Sequence, residues 1–474
     1  MSRVSGRALR ELLPDVRQLP GPVYLAVADS VTALVLDGRI ATHTRLPSER
    51  ELAGALRLSR ATVTSAYDAL RTEGFLTSRT GSGSFVTVPT DARPGRTRWQ
   101  TGQYGGDVID LSCAALPAPA GLLPDAIAAA TAKLAPLACS DGYSPAGLPR
   151  LREAIAVRFT ARGVPTAADQ VLVTNGALHA IDLLLRLLVG PGDRLLTELP
   201  AYPGVLDAAR ANNARVVPVP MAPGGGWQVD QLQATLRQAA PRAAFLVPDF
   251  HNPTGALMDE QTRRDVLRAA RRTGTAVIVD ESFVDLGFCS PQPAAAAIDD
   301  SVITVGSLSK PVWGGLRIGW VRASAELVHR LAALRASIDM GGAVLDQLVA
   351  TEVLPNLDAI AAGRITMLVP QRDALLRALY DRLPQWRPTV PAGGLSVWLE
   401  LDAPLSTPLS LMAAPAGVMI VPGSRFGVDG TLERFLRLPF SLPAERLAVA
   451  VDRLAGVWER LDRPATSPRT LVVA

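Results

Sequence analysis

Apolar positions along this chain follow two different rhythms, and the change between them divides it. From Val27 to Leu70 the period is helical: Val27, Val31, Leu34 and Val35 share one face and stop at Gly38, where a glycine ends the helix. Ser48 opens a second helix with Leu52 and Leu56 on its inner side. Glu51, three residues after Ser48, completes the reciprocal side-chain pattern of a helix start. Ser59 opens a third, with Val63, Ala66, Tyr67 and Leu70 on one stripe and Gly74 at its end. Residues 75–79 and 84–88 then alternate as two short strands around Thr80-Gly81-Ser82-Gly83. Three helices and a β-wing make a small α+β head at residues 18–88.

Residues 89–107 lose the periodicity and carry Pro89, Pro94, Gly95, Arg96, Arg98, Gly102, Gly105 and Gly106, the composition of a flexible basic linker. Beyond it, apolar runs at 171–174, 194–198, 215–219, 243–248, 276–280 and 302–306 alternate with helical stretches such as 177–188 and 260–272. That alternation predicts a largely parallel sheet covered by helices on both faces. Strands at 393–401 and 417–421, after a long helical stretch, predict a smaller α/β subdomain. The body therefore spans 108–465, with a large subdomain at about 146–325 and a small one mainly at about 326–465.

Charge changes the picture of the head. Residues 1–98 hold 14 Arg against 9 Asp and Glu, whereas the whole chain has a net charge of only +4. A basic head on a near-neutral body suits a polyanionic partner. With the Val63/Ala66/Tyr67/Leu70 stripe packed inward, Arg60, Thr62, Thr64 and Ser65 face a major groove. Arg45, Ser48, Arg50, Ser59 and Arg79 flank that face, and Gly81 and Gly83 let the wing tip approach the DNA backbone closely. A small helical interaction module is the competing reading of the same helices. No run approaches the about 20 apolar residues that span a bilayer, and the first residues read as no secretory signal. Cys113, Cys139 and Cys289, odd in number and widely spaced, read as reduced thiols of a cytoplasmic protein, with no metal site among them.

Lysine supplies the candidate chemistry by its rarity. Of 48 Lys and Arg residues only Lys133 and Lys310 are lysine, and a guanidinium cannot act as an amine nucleophile. Lys133 stands in an Ala-rich helical stretch. Lys310 follows a strand, in Ser307-Leu308-Ser309-Lys310, and Arg317 comes seven residues later. Other strand ends carry Thr174-Asn175-Gly176-Ala177, Asn252-Pro253-Thr254-Gly255 and Asp280. In open α/β sheets ligands gather at such ends, and amides at a helix start hold phosphate. An amine, a buried acid and a phosphate cradle together suit pyridoxal phosphate.

The head resembles the GntR-type winged helix-turn-helix in Leu46-Pro47-Ser48-Glu49-Arg50-Glu51-Leu52-Ala53, Leu58-Ser59-Arg60-Ala61-Thr62-Val63, Ala66-Tyr67-Asp68-Ala69-Leu70 and Gly74-Phe75-Leu76. The body, from about 108 to 460, resembles the fold-type I aminotransferases, an α/β transferase fold with large and small subdomains. The fusion is the layout of MocR-type regulators, and Pro248 to Gly255 with Lys310 to Arg317 are similar to the YczR-type branch.

The resemblance implies a multidomain, PLP-dependent regulator that binds operator DNA as a homodimer. Lys310 would form an aldimine, Asp280 would pair with the pyridinium nitrogen, Asn252 would bond the ring hydroxyl and Tyr202 would stack on the ring. Gly176, Ala177, Ser307, Ser309 and Arg317 would surround the phosphate. Tyr143 would reach the phosphate in the partner subunit, and Arg437 would grip the carboxylate of an amino-compound effector. Where the family has D-x-x-Y, this chain has Asp280-Glu281-Ser282-Phe283, so the hydroxyl that supports the cofactor's ring oxygen is missing. That departure points to ligand sensing over fast turnover, with a residual aminotransferase-type half-reaction. The alternatives are an active aminotransferase carrying a DNA-binding head and a cofactor-free dimerisation scaffold.

Overall fold

The computed structural model describes residues 4–461 except 20, 37–39, 41–43, 80–82, 88–107, 223–224 and 429–430. The expected linker at 89–107, together with Gly38 and Gly81 and the side chain of Arg79, lies outside the described residues.

The head contains α1 (Gly6–Leu12), α2 (Val23–Leu36), α3 (Glu49–Leu56) and α4 (Arg60–Thr72), then β1 (Leu76–Arg79) and β2 (Gly83–Val86) paired antiparallel. Val27, Val31, Leu34, Val35, Leu52, Val63, Ala66, Tyr67 and Leu70 are all buried, as their spacing predicts. Both expected caps form: Ser48 Oγ accepts from Glu51 N at 3.2 Å, and Ser59 Oγ accepts from Thr62 N at 3.0 Å. Helix α1, which precedes the expected start at residue 18, adds Leu9 and Leu13 to the head core. Glu51 explains its position, because its carboxylate accepts from Gly6 N at 2.8 Å.

The body begins with β3 (Ile109–Leu111), α5 (Leu122–Ala132) and α6 (Pro149–Ala161), before the large subdomain alternates strand and helix. Its elements are β4 (Val171–Thr174), α7 (Ala177–Leu188), β5 (Arg194–Leu199), α8 (Pro203–Ala211), β6 (Arg215–Pro220) and α9 (Val229–Ala239). Then come β7 (Ala243–Leu246), α10 (Glu260–Thr273), β8 (Ala276–Asp280), α11 (Ala295–Ile298), β9 (Ile303–Ser307) and β10 (Gly319–Arg322). The seven strands lie in the order β4-β10-β9-β8-β7-β5-β6, with β10 antiparallel to both neighbours. Two apolar layers cover the sheet, one built on α6 and α10 and the other on α7 and α8. Strand β10 is the one member that the hydrophobic pattern does not announce, since Gly319-Trp320-Val321-Arg322 is short and ends in arginine. Arg322 is nonetheless fully buried, donating to the Asp300 carbonyl at 2.9 Å and pairing with its carboxylate.

The chain leaves the sheet through α12 (Ala325–Arg335), α13 (Val344–Val353) and the long α14 (Leu357–Arg382). The small subdomain holds β11 (Arg387–Pro388), β12 (Ser396–Glu400), α15 (Ser406–Ala413), β13 (Val418–Pro422), β14 (Phe435–Pro439) and α16 (Ala444–Arg460). Its sheet order is β11-β12-β14-β13-β3, so residues 109–111 return to the small subdomain and pair parallel with β13. That return carries Ser112, Cys113 and Ala114 to the seam between the subdomains. Phe250, Phe283 and Leu286 from the large subdomain also pack into the small subdomain's core.

Candidate functional site

The carboxyl ends of β4, β7, β8 and β9 bring together most of the residues singled out in the sequence. Asp280 ends β8, opposite Val305 of β9, and is 7% exposed. Burial raises its pKa above the usual carboxylate range, against the hydrogen bonds from Ser282 and the charge of Lys310. Lys310 follows β9, and its amine donates to the Ala114 carbonyl at 2.8 Å and lies 5.5 Å from the Phe283 ring centroid. Desolvation lowers its pKa, and Arg437 pushes the same way, while Cys113 and Asp280 oppose them. The neutral amine is the reactive form toward a carbonyl carbon, so the lowering favours it.

The expected anion cradle at the start of α7 is built by close backbone approach. Gly176 precedes α7 with φ +86°, a conformation that favours glycine, and a Cβ there would lie 2.8 Å from Arg317 Nη2. Gly319 passes so near that its own Cβ would meet the Gly176 carbonyl carbon at 2.5 Å. Arg317 Nη2 donates to the Asn175 carbonyl at 2.7 Å, and Ser309 N donates to Ser307 Oγ at 3.1 Å. The start of α7 at Ala177, Ser307, Ser309 and Arg317 thus flank one pocket end, where amides, hydroxyls and a guanidinium favour an anion.

Arg437, in β14, reaches the seam from the small subdomain and is 7% exposed. It donates to the Ser112 carbonyl at 2.6 Å and to Asn252 Oδ1 at 3.5 Å, and its guanidinium lies 5.0 Å from the Phe426 ring centroid. Desolvation pushes its pKa down to about 10, and its Nε is buried with no hydrogen-bond partner. Such an orphan donor on a buried cation suits a carboxylate ligand. Tyr202 stands beside the same cluster, its hydroxyl pKa raised to about 12 by burial and by Asp280. Gly204 leaves room for that ring, since a Cβ there would come within 2.4 Å of it.

Tyr143 does not join this cluster within its own protomer. Its side chain is 63% exposed, in the loop where Ser144 bridges Gly341. Lys133, the other lysine, pairs on the surface with Glu352. Cys113 and Ala114 were missed by the sequence reading, as were the neighbours His179 and Asp339 that hold the cradle. His179 Nδ1 accepts from Asn175 N at 3.1 Å, and Asn175 Nδ2 donates to Asp339 Oδ2 at 2.8 Å. Only the His two residues after Ala177, one turn into a helix that starts at an anion site, hinted at the first of these.

On the head, Arg45, Ser48, Arg50, Ser59, Arg60 and Ser65 are exposed and Thr62 is half-buried. Gly83 sits against Arg45, whose Nε would be 2.7 Å from a Cβ there. Thr64 departs from the expected groove-facing role. Its hydroxyl donates to Glu49 Oε2 at 2.8 Å, because position 64 turns toward α3 rather than away from it.

An amine, a buried acid one strand away, an aromatic ring and an anion cradle together fit a phosphorylated pyridine aldehyde, so the body is a fold-type I pyridoxal-phosphate domain joined to a winged helix. Residues 106–454 match the family Aminotransferase class I and II, and residues 23–86 match Bacterial regulatory proteins, gntR family. The chain belongs to the aminotransferase class I and II family, with a GntR-type DNA-binding head. It is 28% identical over 454 residues to the Bacillus subtilis HTH-type transcriptional regulator YisV, covering 89% of this chain and 92% of that protein. It is 26% identical to the regulator NorG of Staphylococcus aureus, over 84% of this chain and 95% of that one. Among solved structures, the α-aminoadipate aminotransferase LysN of Thermus thermophilus, complexed with N-(5'-phosphopyridoxyl)-L-leucine, is similar with a TM-score of 0.68 and 28% identity. That likeness covers 74% of this chain and 92% of LysN.

Proposed function

We propose that this chain is a transcriptional regulator that binds operator DNA through its winged helix and senses an amino compound at the pyridoxal-phosphate site of its body. One observation carries the reading: a buried guanidinium with an orphan Nε, Arg437, converges with the Lys310 amine in a chain that begins with a DNA-binding head. The relatives named as HTH-type transcriptional regulators support it over nearly the full length.

Bound pyridoxal phosphate supplies an electrophilic carbon for amines and an electron sink. Lys310 would hold the cofactor covalently, Asp280 would keep a proton at the ring nitrogen, Asn252 would bond the ring hydroxyl and Tyr202 would cover the ring face. Gly176, Ala177, Ser307, Ser309 and Arg317 would bind the phosphate. Arg437 would donate hydrogen bonds to the carboxylate of an amino compound that reacts there. Because Arg437 belongs to the small subdomain and the cofactor site to the strand ends of the large one, a ligand bonded to the cofactor and held by Arg437 would draw the subdomains together. Sensing then follows if the ligand binds the two arrangements unequally.

The functional unit of this proposal is a homodimer with shared sites. Tyr143 is exposed in the loop where Ser144 bridges Gly341, and Ile338, Met340 and Leu345 are exposed apolar side chains flanking that bridge partner. The described cysteines are all free thiols, which suits a cytoplasmic setting. The described helices include none long and apolar enough to cross a membrane.

The test uses the purified full-length protein, a duplex selected by it from a random-sequence pool, pyridoxal phosphate and a panel of amino acids. The expected outcome is a visible absorbance band that disappears in Lys310→Ala, with a change in DNA affinity of at least about fivefold for one amino acid. Affinity unchanged by cofactor and by every amine overturns sensing. The second reading, an active aminotransferase that carries a DNA-binding head, is favoured by the Lys310, Asp280, Asn252 and Arg437 set and by the likeness to LysN. Multiple turnovers with an amino acid and a keto acid separate it from the first.

A further inference from the structure

Helix α14 is one of two covalent routes between the subdomains, the other being the segment that follows β3, and its two ends belong to different cores. Leu357 packs in the core of the large subdomain, with Ile360 against it, whereas Leu368, Leu375, Leu376 and Leu379 pack in that of the small subdomain. The crossover falls between Ile360 and Leu368. Pro370 follows it inside the helix and removes one backbone donor, so the ladder is weakest next to the crossover.

Arg364 occupies that crossover and is 7% exposed. Its Nε donates to the Pro311 carbonyl at 3.0 Å, and its Nη2 donates to the Val312 carbonyl at 2.8 Å and the Pro117 carbonyl at 2.5 Å. These three carbonyls lie on both sides of the reactive amine. Pro311 and Val312 directly follow Lys310, and Pro117 comes three residues after Ala114, whose carbonyl accepts from the Lys310 amine at 2.8 Å. One planar guanidinium thus ties the peptide that carries the lysine to the peptide on which its amine rests. A lysine cannot replace it, because a single ammonium on a flexible stem lacks the fixed fork.

We propose that Arg364 is a positioning residue that transmits movement of α14 to Lys310. When the small subdomain moves against the large one, the part of α14 that moves pulls on both peptides at once. The Lys310 amine then shifts relative to Asp280 and the ring site. In the reverse direction, bonding of Lys310 to the cofactor would take its amine from the Ala114 carbonyl, and an incoming amine that displaced Lys310 would return it there, so the hold on the 114–117 segment would follow the state of the lysine.

The inference rests on the reading of Lys310 as the cofactor-bearing residue. The experiment compares wild type, Arg364→Met, Arg364→Lys and Leu368→Ala in the full-length chain. Leu368→Ala is a purely structural lesion on the same helix. Three readouts are needed: the melting temperature without cofactor, the dissociation constant for pyridoxal phosphate, and the pH midpoint of the bound cofactor's visible band. Both Arg364 variants are expected to weaken cofactor binding by about tenfold and to move the pH midpoint. Leu368→Ala should lower the melting temperature and leave the midpoint in place. A midpoint unchanged in both Arg364 variants, or moved equally by Leu368→Ala, overturns the proposal. Should Arg364→Met fail to fold, Arg364→Lys alone decides it. If wild type itself shows no band that depends on Lys310, the functional reading fails first, and the two failures stay distinguishable.

Discussion

Phe283 holds the position at which a tyrosine hydroxyl would support the cofactor, and its buried ring lies 5.5 Å from the Lys310 amine. Phenylalanine keeps the packing with Phe250 and Leu286 at the seam and supplies no donor. Phe283→Tyr is therefore expected to raise single-turnover rates with amino acids by about tenfold or more, since a positioned proton donor contributes at least that much. Stopped-flow absorbance measures it, and unchanged rates would show that the missing hydroxyl does not limit the chemistry. A second residue-scale effect belongs to His179. Its pKa is lowered from 6.5, first by burial and then by Arg335 and Arg317, with Asp339 and Asp182 opposing. Its Nδ1 must stay unprotonated to accept from Asn175 N. The unfolded chain takes up that proton first as pH falls through 6.5, so acidification costs stability and loosens the phosphate cradle. Cofactor affinity is expected to drop below pH 6.5 in wild type and to depend less on pH in His179→Asn, whose amide oxygen accepts the same bond without titrating. Parallel pH profiles for the two proteins would remove His179 from the account.

At the scale of elements, α4 shows how far a pattern carries. The buried stripe and the Ser59 cap were legible because local spacing and a side-chain hydrogen bond to the next turn need no tertiary information. Ser59→Ala is expected to cost the head about 1 kcal/mol, measured by thermal unfolding, and to weaken DNA binding through fraying of the first turn. Arg50→Ala should weaken binding to all duplexes alike and reduce the salt dependence by about one counterion. A loss confined to one sequence would instead make Arg50 a base reader. Thr64 was not legible in the same way. Its hydroxyl is held by Glu49, which also lies 3.5 Å from Arg71, and that choice depends on how α3 crosses α4. Strand β10 escaped for a related reason. A four-residue strand ending in a buried arginine has no alternation to read, and Arg322 is tolerated inside because Asp300 pairs with it and Thr166 Oγ1 accepts from its Nε at 3.4 Å.

At the scale of the whole molecule, the site is divided between two subdomains and, by the present proposal, between two copies of the chain. Tyr143 tests that division, because its side chain faces solvent in its own protomer. Tyr143→Phe is expected to weaken pyridoxal phosphate binding by about tenfold, the worth of one hydrogen bond to a charged group. The measurement is a cofactor titration on the dimer, and wild-type affinity would exclude a role for Tyr143 in the partner's site. The return of β3 to the small subdomain also matters at this scale. It brings Ser112 to Arg437 and Ala114 to Lys310, so the two ligand-facing cations rest on neighbouring peptides of one segment.

By itself the sequence determined the division into a winged helix and an α/β body, the strand ends on which Asn252, Asp280 and Lys310 stand, and the chemistry of a lone strand-end lysine. These follow from short-range periodicity and from residue types that admit few substitutes. Only the tertiary structure decided that Arg437 is buried with an orphan Nε, that the Thr64 hydroxyl is tied to Glu49, that His179 accepts from Asn175 N and that Arg364 binds both peptides around the amine. The Thr64, Arg437 and Arg364 contacts depend on which carboxylate or carbonyl lies within about 3 Å of a side chain, across 15, 325 and 53 residues respectively. Such partners are set by packing of the two subdomains, which no local pattern encodes.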